Sequence, residues 1–200
     1  MLDSGGGGSF SDIAAGLDWL LTQSAVLGGP VEGLRVVNLS LGDSIEYNDP
    51  NVSPCSGSNT ANAIQLLEQD GVVVVISSGN NGHDDGIAFP ACVTEAISVG
   101  GVYDAAMSNV SWCGATCGTI LCTDTGIVAD KFVCHSNSDE ILDVLAPDWR
   151  TTTSLLGGGV VDFGGTSASS PYVAGEAALL LEANPALTPA SIRTDRKSVV

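Results

Sequence analysis

The stretch Gly71-Val72-Val73-Val74-Val75-Ile76-Ser77-Ser78-Gly79-Asn80-Asn81-Gly82 constrains this chain more than any other. Its unbroken β-branched run has no polar face, so a strand made from it must be covered on both sides. A parallel sheet with helices on its two faces does this. The remaining pattern alternates accordingly. It predicts a helix over 11–26, a strand over 35–41, a helix over 59–70, a strand over 72–77 and another over 95–101. An irregular segment follows over 104–140, then a strand over 141–145, extended pieces over 151–163, a helix over 166–183 and a short last helix. Thr188-Pro189 has the cap and first-turn proline of that helix start. With 200 residues, 44% of them hydrophobic, and 25 glycines, the chain can bury one core in a loop-rich α/β domain.

Charge narrows the function. Asp and Glu number 23 against 6 Lys and Arg, a formal net charge of -17. A phosphate-binding surface needs clustered cations, so nucleic acid is not an expected partner. No apolar run approaches the roughly 20 residues of a membrane helix, and no signal peptide precedes the domain. A soluble, exported protein is expected.

The six cysteines are Cys55, Cys92, Cys113, Cys117, Cys122 and Cys134. Six thiols admit about 15 pairings, so sequence alone does not assign them. Zinc on Cys113, Cys117, Cys122, Cys134 and His135 is the competing reading, but the spacing lacks the paired Cys-x-x-Cys of the common ribbons. Disulfides in an oxidising compartment fit better, and Asn51-Val52-Ser53 and Asn109-Val110-Ser111 have the form of glycosylation sites there.

Gly164-Gly165-Thr166-Ser167-Ala168-Ser169-Ser170-Pro171-Tyr172-Val173-Ala174-Gly175 places a serine in a glycine turn that opens into an apolar helix. Unpaired N–H groups and the positive end of the helix dipole favour developing oxyanion charge there. A bare Gly-Thr-Ser would be read as an ordinary helix cap. The α/β-hydrolase elbow is a different pattern, since Ser169 stands where its second glycine belongs. The whole run resembles the nucleophile motif of the subtilisin-like serine proteases. Ile141–Pro147 resembles the strand and Ala-Pro turn that precede it.

That resemblance implies a three-layer α/β/α fold, incomplete at its N-terminus, and serine endopeptidase activity with Ser167 as nucleophile. It implies that Asn80 donates its amide to the oxyanion, where alone Asn80-Asn81-Gly82 would read as a turn. It also implies that Ser40-Leu41-Gly42 and Ser77-Ser78-Gly79 form the walls of the pocket for the residue before the scissile bond. A strand edge there would pair with substrate backbone, and the small side chains suggest an open pocket. Partners would be protein or peptide substrates of a secreted monomer. Cys55 and Phe89-Pro90-Ala91-Cys92 resemble a family disulfide pair, leaving two bridges among the other four cysteines. Asp143, with carbonyls near Thr94 and Ala96, matches a calcium position of some relatives; no cofactor is needed for the chemistry.

The family's base and its orienting carboxylate have no counterpart. Leu2-Asp3-Ser4-Gly5 imitates an Asp-Ser-Gly motif, but the helix over 11–26 follows too closely for a His segment to intervene. Gly5–Ser9 instead resembles a glycine-containing substrate-binding strand. His83 lies in a polar turn and His135 in the cysteine-rich segment. Residues 1–194 therefore read as part of a catalytic domain, inactive alone. Residues 195–200 (Asp-Arg-Lys-Ser-Val-Val) can be written as one frame of a common sequencing adapter and are set apart as read-through. Tyr172 stands where many relatives carry histidine, and Glu176 interrupts an apolar helix, where an unpaired buried carboxylate is costly. A secreted, non-catalytic pseudoprotease or peptide-binding module, presenting 104–140 to a partner, is the alternative.

Overall fold

In a computed structural model, residues 7–26, 33–113 and 118–197 are described. The side chains of 23–26 and 195–197 are left aside. The elements are α1 (Phe10–Val26), β1 (Val36–Leu39), α2 (Asn59–Gln69), β2 (Val73–Ser77), β3 (Ile97–Val102), β4 (Val110–Cys113), β5 (Ile120–Asp124), β6 (Val144–Pro147), β7 (Thr151–Ser154), β8 (Val160–Phe163), α3 (Thr166–Ala183) and α4 (Pro189–Lys197). Strands β1-β2-β3-β6 form one sheet in that order, with every pairing parallel. The fold is α/β, as the β-branched run requires.

Alternation along that run builds both halves of the core. Val72, Val74 and Ile76 point to one face, where they meet Ile13 and Leu17 of α1 and Ile64 and Leu67 of α2. Val73 and Val75 point to the other, against Val173, Ala177 and Leu181 of α3 and Ile192 of α4. β2 is buried at every position. Helix ends follow side-chain chemistry. Ser58 caps α2 by accepting the Ala61 N–H at 3.1 Å; Gly71, at φ 82°, turns the chain into β2. Ser9 caps α1, its hydroxyl accepting the Asp12 N–H at 3.2 Å. Gly7 and Gly8 lead into that cap; Gly5, with the Asp3 motif, lies outside the described residues.

Two elements differ from expectation. The strand expected over 141–145 forms at Val144–Pro147, because Asp139 turns the chain by accepting the Ile141 N–H, and Asp143 is tied to Ser98. The segment 104–140, expected to be irregular, holds the antiparallel hairpin β4–β5. Cys55 bonds to Cys92 and Cys122 to Cys134; Cys113 is also in a disulfide. The zinc reading fails with them, because oxidised sulfur offers no thiolate. Glu176 is exposed on α3, which removes the burial cost its apolar context raised.

Cys55–Cys92 closes 37 residues of chain across the α2 face. Replacing both cysteines with serine is expected to lower stability by about 2–5 kcal/mol. Denaturant unfolding would show it as an earlier midpoint with a steeper slope, because the unfolded chain freed of the cross-link exposes more surface.

Candidate functional site

Parallel sheets gather ligands beyond the carboxyl ends of their strands. Here β1 runs out into Ser40-Leu41-Gly42 and β2 into Ser78-Gly79-Asn80, and the N-terminus of α3 arrives at the same end. The turn before α3 needs Gly165, whose φ is 93°. Thr166 then carries the junction. Its N–H and hydroxyl both donate to Asn80 Oδ1, at 2.8 and 2.9 Å. With the amide oxygen so committed, the Asn80 Nδ2 is the end left to donate, and it borders Gly165.

Ser167 follows, partly accessible, among α3's first N–H groups, which have no partner inside a helix. Pro171 has no N–H to give the Ser167 carbonyl. Ser40 Oγ donates to that carbonyl instead, at 2.9 Å, and sits 3.0 Å from Ser170 Oγ. Ser40 thus braces the turn that carries Ser167 and does not face the cavity. Ser78 is also turned away, fully buried and donating to the Asn137 carbonyl. The others, Leu41, Gly42, Ser77 and Gly79, line a cavity of about 660 Å³ that Ser167 and Asn80 share.

Several residues of this site were not legible in the sequence. Asn137 clamps the loop carrying Asn80: its Oδ1 accepts the Asn81 and His83 N–H groups and its own N–H donates to the Gly79 carbonyl. Asp148 accepts the Gly165 N–H at 2.9 Å through Oδ1 and the His135 Nε2–H at 3.0 Å through Oδ2. Gly101 makes room for it; a Cβ there would fall 2.2 Å from Asp148 Oδ2. A carboxylate directly after the strand-ending Ala146-Pro147 was the available signal, being where such a sheet collects its site. Trp112 and His135 close the far side of the cavity, with ring centroids 3.7 Å apart. Beneath them Trp112 Nε1 donates to Tyr103, whose hydroxyl donates to Asp124. Burial foremost pushes the Tyr103 phenol far above its ordinary range; Trp112 acts against this, and Asp124 and Asp148 add to it.

Neither histidine of the chain is bonded to Ser167. His83 Nε2 lies 3.3 Å from the Ser44 carbonyl, its other nitrogen 3.7 Å from Glu46, and His135 is held by Asp148. At the implied calcium position Asp143 Oδ2 accepts from the Ser98 N–H and hydroxyl, and Asp143 and Thr94 line a small cavity together with Arg193.

A half-buried tyrosine near the cavity gives a pH test. Burial, then a hydrogen bond to Asp43 and its charge, raise the Tyr47 phenol to about 12. A folded value above the unfolded one means this contribution is full below about pH 10 and is lost as pH rises toward 12. Stability should fall through that window, and Tyr47→Phe should flatten the fall in denaturant titrations.

The family model described as the subtilase family matches residues 1–195. The chain belongs to the subtilase family. Among curated subtilases it is 30% identical over 199 residues to alkaline elastase YaB of Bacillus sp. (strain YaB), covering 99% of this chain and 41% of that protein. It is 29% identical over 198 residues to subtilisin Savinase of Lederbergia lenta, covering 99% and 57%. A crystal structure of a cold adapted subtilisin-like serine proteinase matches with a TM-score of 0.71 at 25% identity, over 99% of this chain and 57% of that one. The chain spans about half the length of the subtilases it matches.

Proposed function

We propose that this chain is part of the catalytic domain of a secreted, monomeric subtilisin-like serine endopeptidase acting on protein or peptide substrates. Ser167 Oγ attacks the peptide carbonyl, and its proton passes to a base. The carbonyl oxygen becomes an oxyanion between Asn80 Nδ2 and the Ser167 N–H. Collapse breaks the C–N bond, the amine leaves with a proton, and water hydrolyses the acyl-enzyme. The observation that carries this reading is the double hydrogen bond from Thr166 to Asn80 Oδ1, which turns the amide N–H₂ toward the nucleophile turn.

The base and its carboxylate belong, on this reading, to sequence outside this chain, and the chain alone is inactive. Two features support a missing neighbour. β1 has no strand on its outer side among the described residues. Beside it, Leu17, Trp19, Leu20, Val37 and Leu39 line an apolar groove, with Trp19 59% exposed. Secretion is supported by the disulfides; among the described residues no helix is long and apolar enough to cross a membrane.

Reading the coding sequence upstream of Met1 in the source tests this. An in-frame Asp-x-Gly segment followed by a His-Gly segment is expected. A coding sequence lacking that pair would leave a non-catalytic peptide-binding protein, with Ser167 as a relic.

A further inference from the structure

The cysteine-rich segment reaches under the cavity beside Ser167. β4 delivers Trp112 and Cys113, and the stretch after the Cys122–Cys134 bridge delivers His135. The floor is built tightly: Trp112 contacts the rings of both His135 and Trp149, and His135 is 4% exposed. On the wall, Asp43 accepts the Ile45 and Phe89 N–H groups through Oδ1 and the Tyr47 hydroxyl through Oδ2.

We propose that Asp43 on the wall and His135 held by Asp148 on the floor make this cavity select a positively charged side chain, lysine or arginine. That side chain belongs to the residue whose carbonyl Ser167 attacks. The inference rests on the endopeptidase reading above and adds its substrate class. The ionisable groups among the described lining are Asp43 and His135, and no Lys or Arg is among them. Asp148 lies directly behind His135, fully buried.

The Asp148 carboxylate accepts the His135 Nε2–H from behind the ring, so the floor pair offers no net positive charge. A cleft lined by one sign of charge focuses its field on what enters. Trp112 offers apolar surface to the methylene stem of a long cationic side chain, which buries its stem and keeps its head polar. An acidic side chain would lose water and meet Asp43.

The test is a fluorescence-anisotropy titration of the full-length protein, carrying Ser167→Ala so that peptide is bound and not cleaved, with fluorescein-labelled tetrapeptide amides Ala-Ala-Ala-X, where X is Lys, Leu or Glu. The lysine peptide is expected to bind at least about tenfold more tightly than the leucine peptide, and the glutamate peptide most weakly. Asp43→Asn should cut the lysine-to-leucine ratio by about tenfold.

Asp148→Asn should cut it as well, and by a different route. The new amide keeps its oxygen on the Gly165 N–H and offers N–H₂ to His135, which removes the negative charge behind the floor. Circular dichroism melts verify that both variants fold, and Asp43→Asn carries the test if Asp148→Asn does not. Leucine binding as tightly as lysine, or a ratio unmoved by Asp43→Asn, overturns the inference while leaving the peptide groove intact. Absence of binding by all three peptides overturns the groove and the inference together.

Discussion

Ser167→Ala is expected to lower peptide hydrolysis by the full-length protein on the order of a million-fold, a magnitude taken over from subtilisin itself. The geometry explains why so much depends on one hydroxyl. Ser167 is held from both sides: Ser40 Oγ takes its carbonyl, the place of the bond Pro171 cannot make, and Thr166 before it is fixed to Asn80. Removing Oγ leaves these braces and the proposed oxyanion donors in place. The expected variant is therefore folded, with an unchanged thermal midpoint, and still binds peptide, with catalysis alone lost. A fall in activity accompanied by a large fall in stability would instead mark Ser167 as a structural cap.

Asn80→Ala is expected to lower turnover by about 10²–10³-fold, roughly 2.7–4 kcal/mol of transition-state stabilisation, with little change in KM. These magnitudes also come from subtilisin. Two effects of the substitution separate by measurement. Loss of Nδ2 removes a donor that acts only when the oxyanion forms, so it lowers kcat and kcat/KM together. Loss of Oδ1 strands the Thr166 N–H and hydroxyl, both buried, and costs stability. Asn80→Asp keeps the acceptor side and removes the donor. It should recover most of the stability and none of the rate, whereas recovery of the rate would show that Asn80 only supports the turn.

Much of the sheet was legible because its signal is local. Val72–Ile76 has no polar position, so burial on both faces followed from residue type, and the structure splits the run between the α1–α2 and α3–α4 sides. β6 shows where that logic stops. Ile141-Leu142 reads as strand, but Asp139 and Asp143, short carboxylates that bind nearby N–H groups, hold those residues in a turn and delay the strand to Val144.

The glycine turn into α3 was legible from its run of small residues, and so were the cavity walls at Leu41, Gly42, Ser77 and Gly79. The floor was not. Trp112, His135 and Asp148 meet only through tertiary packing, and no periodicity links residues drawn from a hairpin, a loop and a strand end. The cysteine-rich segment read as irregular for the same reason. Ser40 and Ser78 read as walls because their neighbours are, yet their hydroxyls satisfy backbone carbonyls instead.

The most direct measurement is mass-spectrometric mapping of the adduct formed when the full-length protein is treated with a fluorophosphonate. One adduct on the peptide carrying Ser167, absent after Ser167→Ala, is the predicted result. An adduct on another residue, or labelling undiminished in that variant, would contradict Ser167 as the nucleophile.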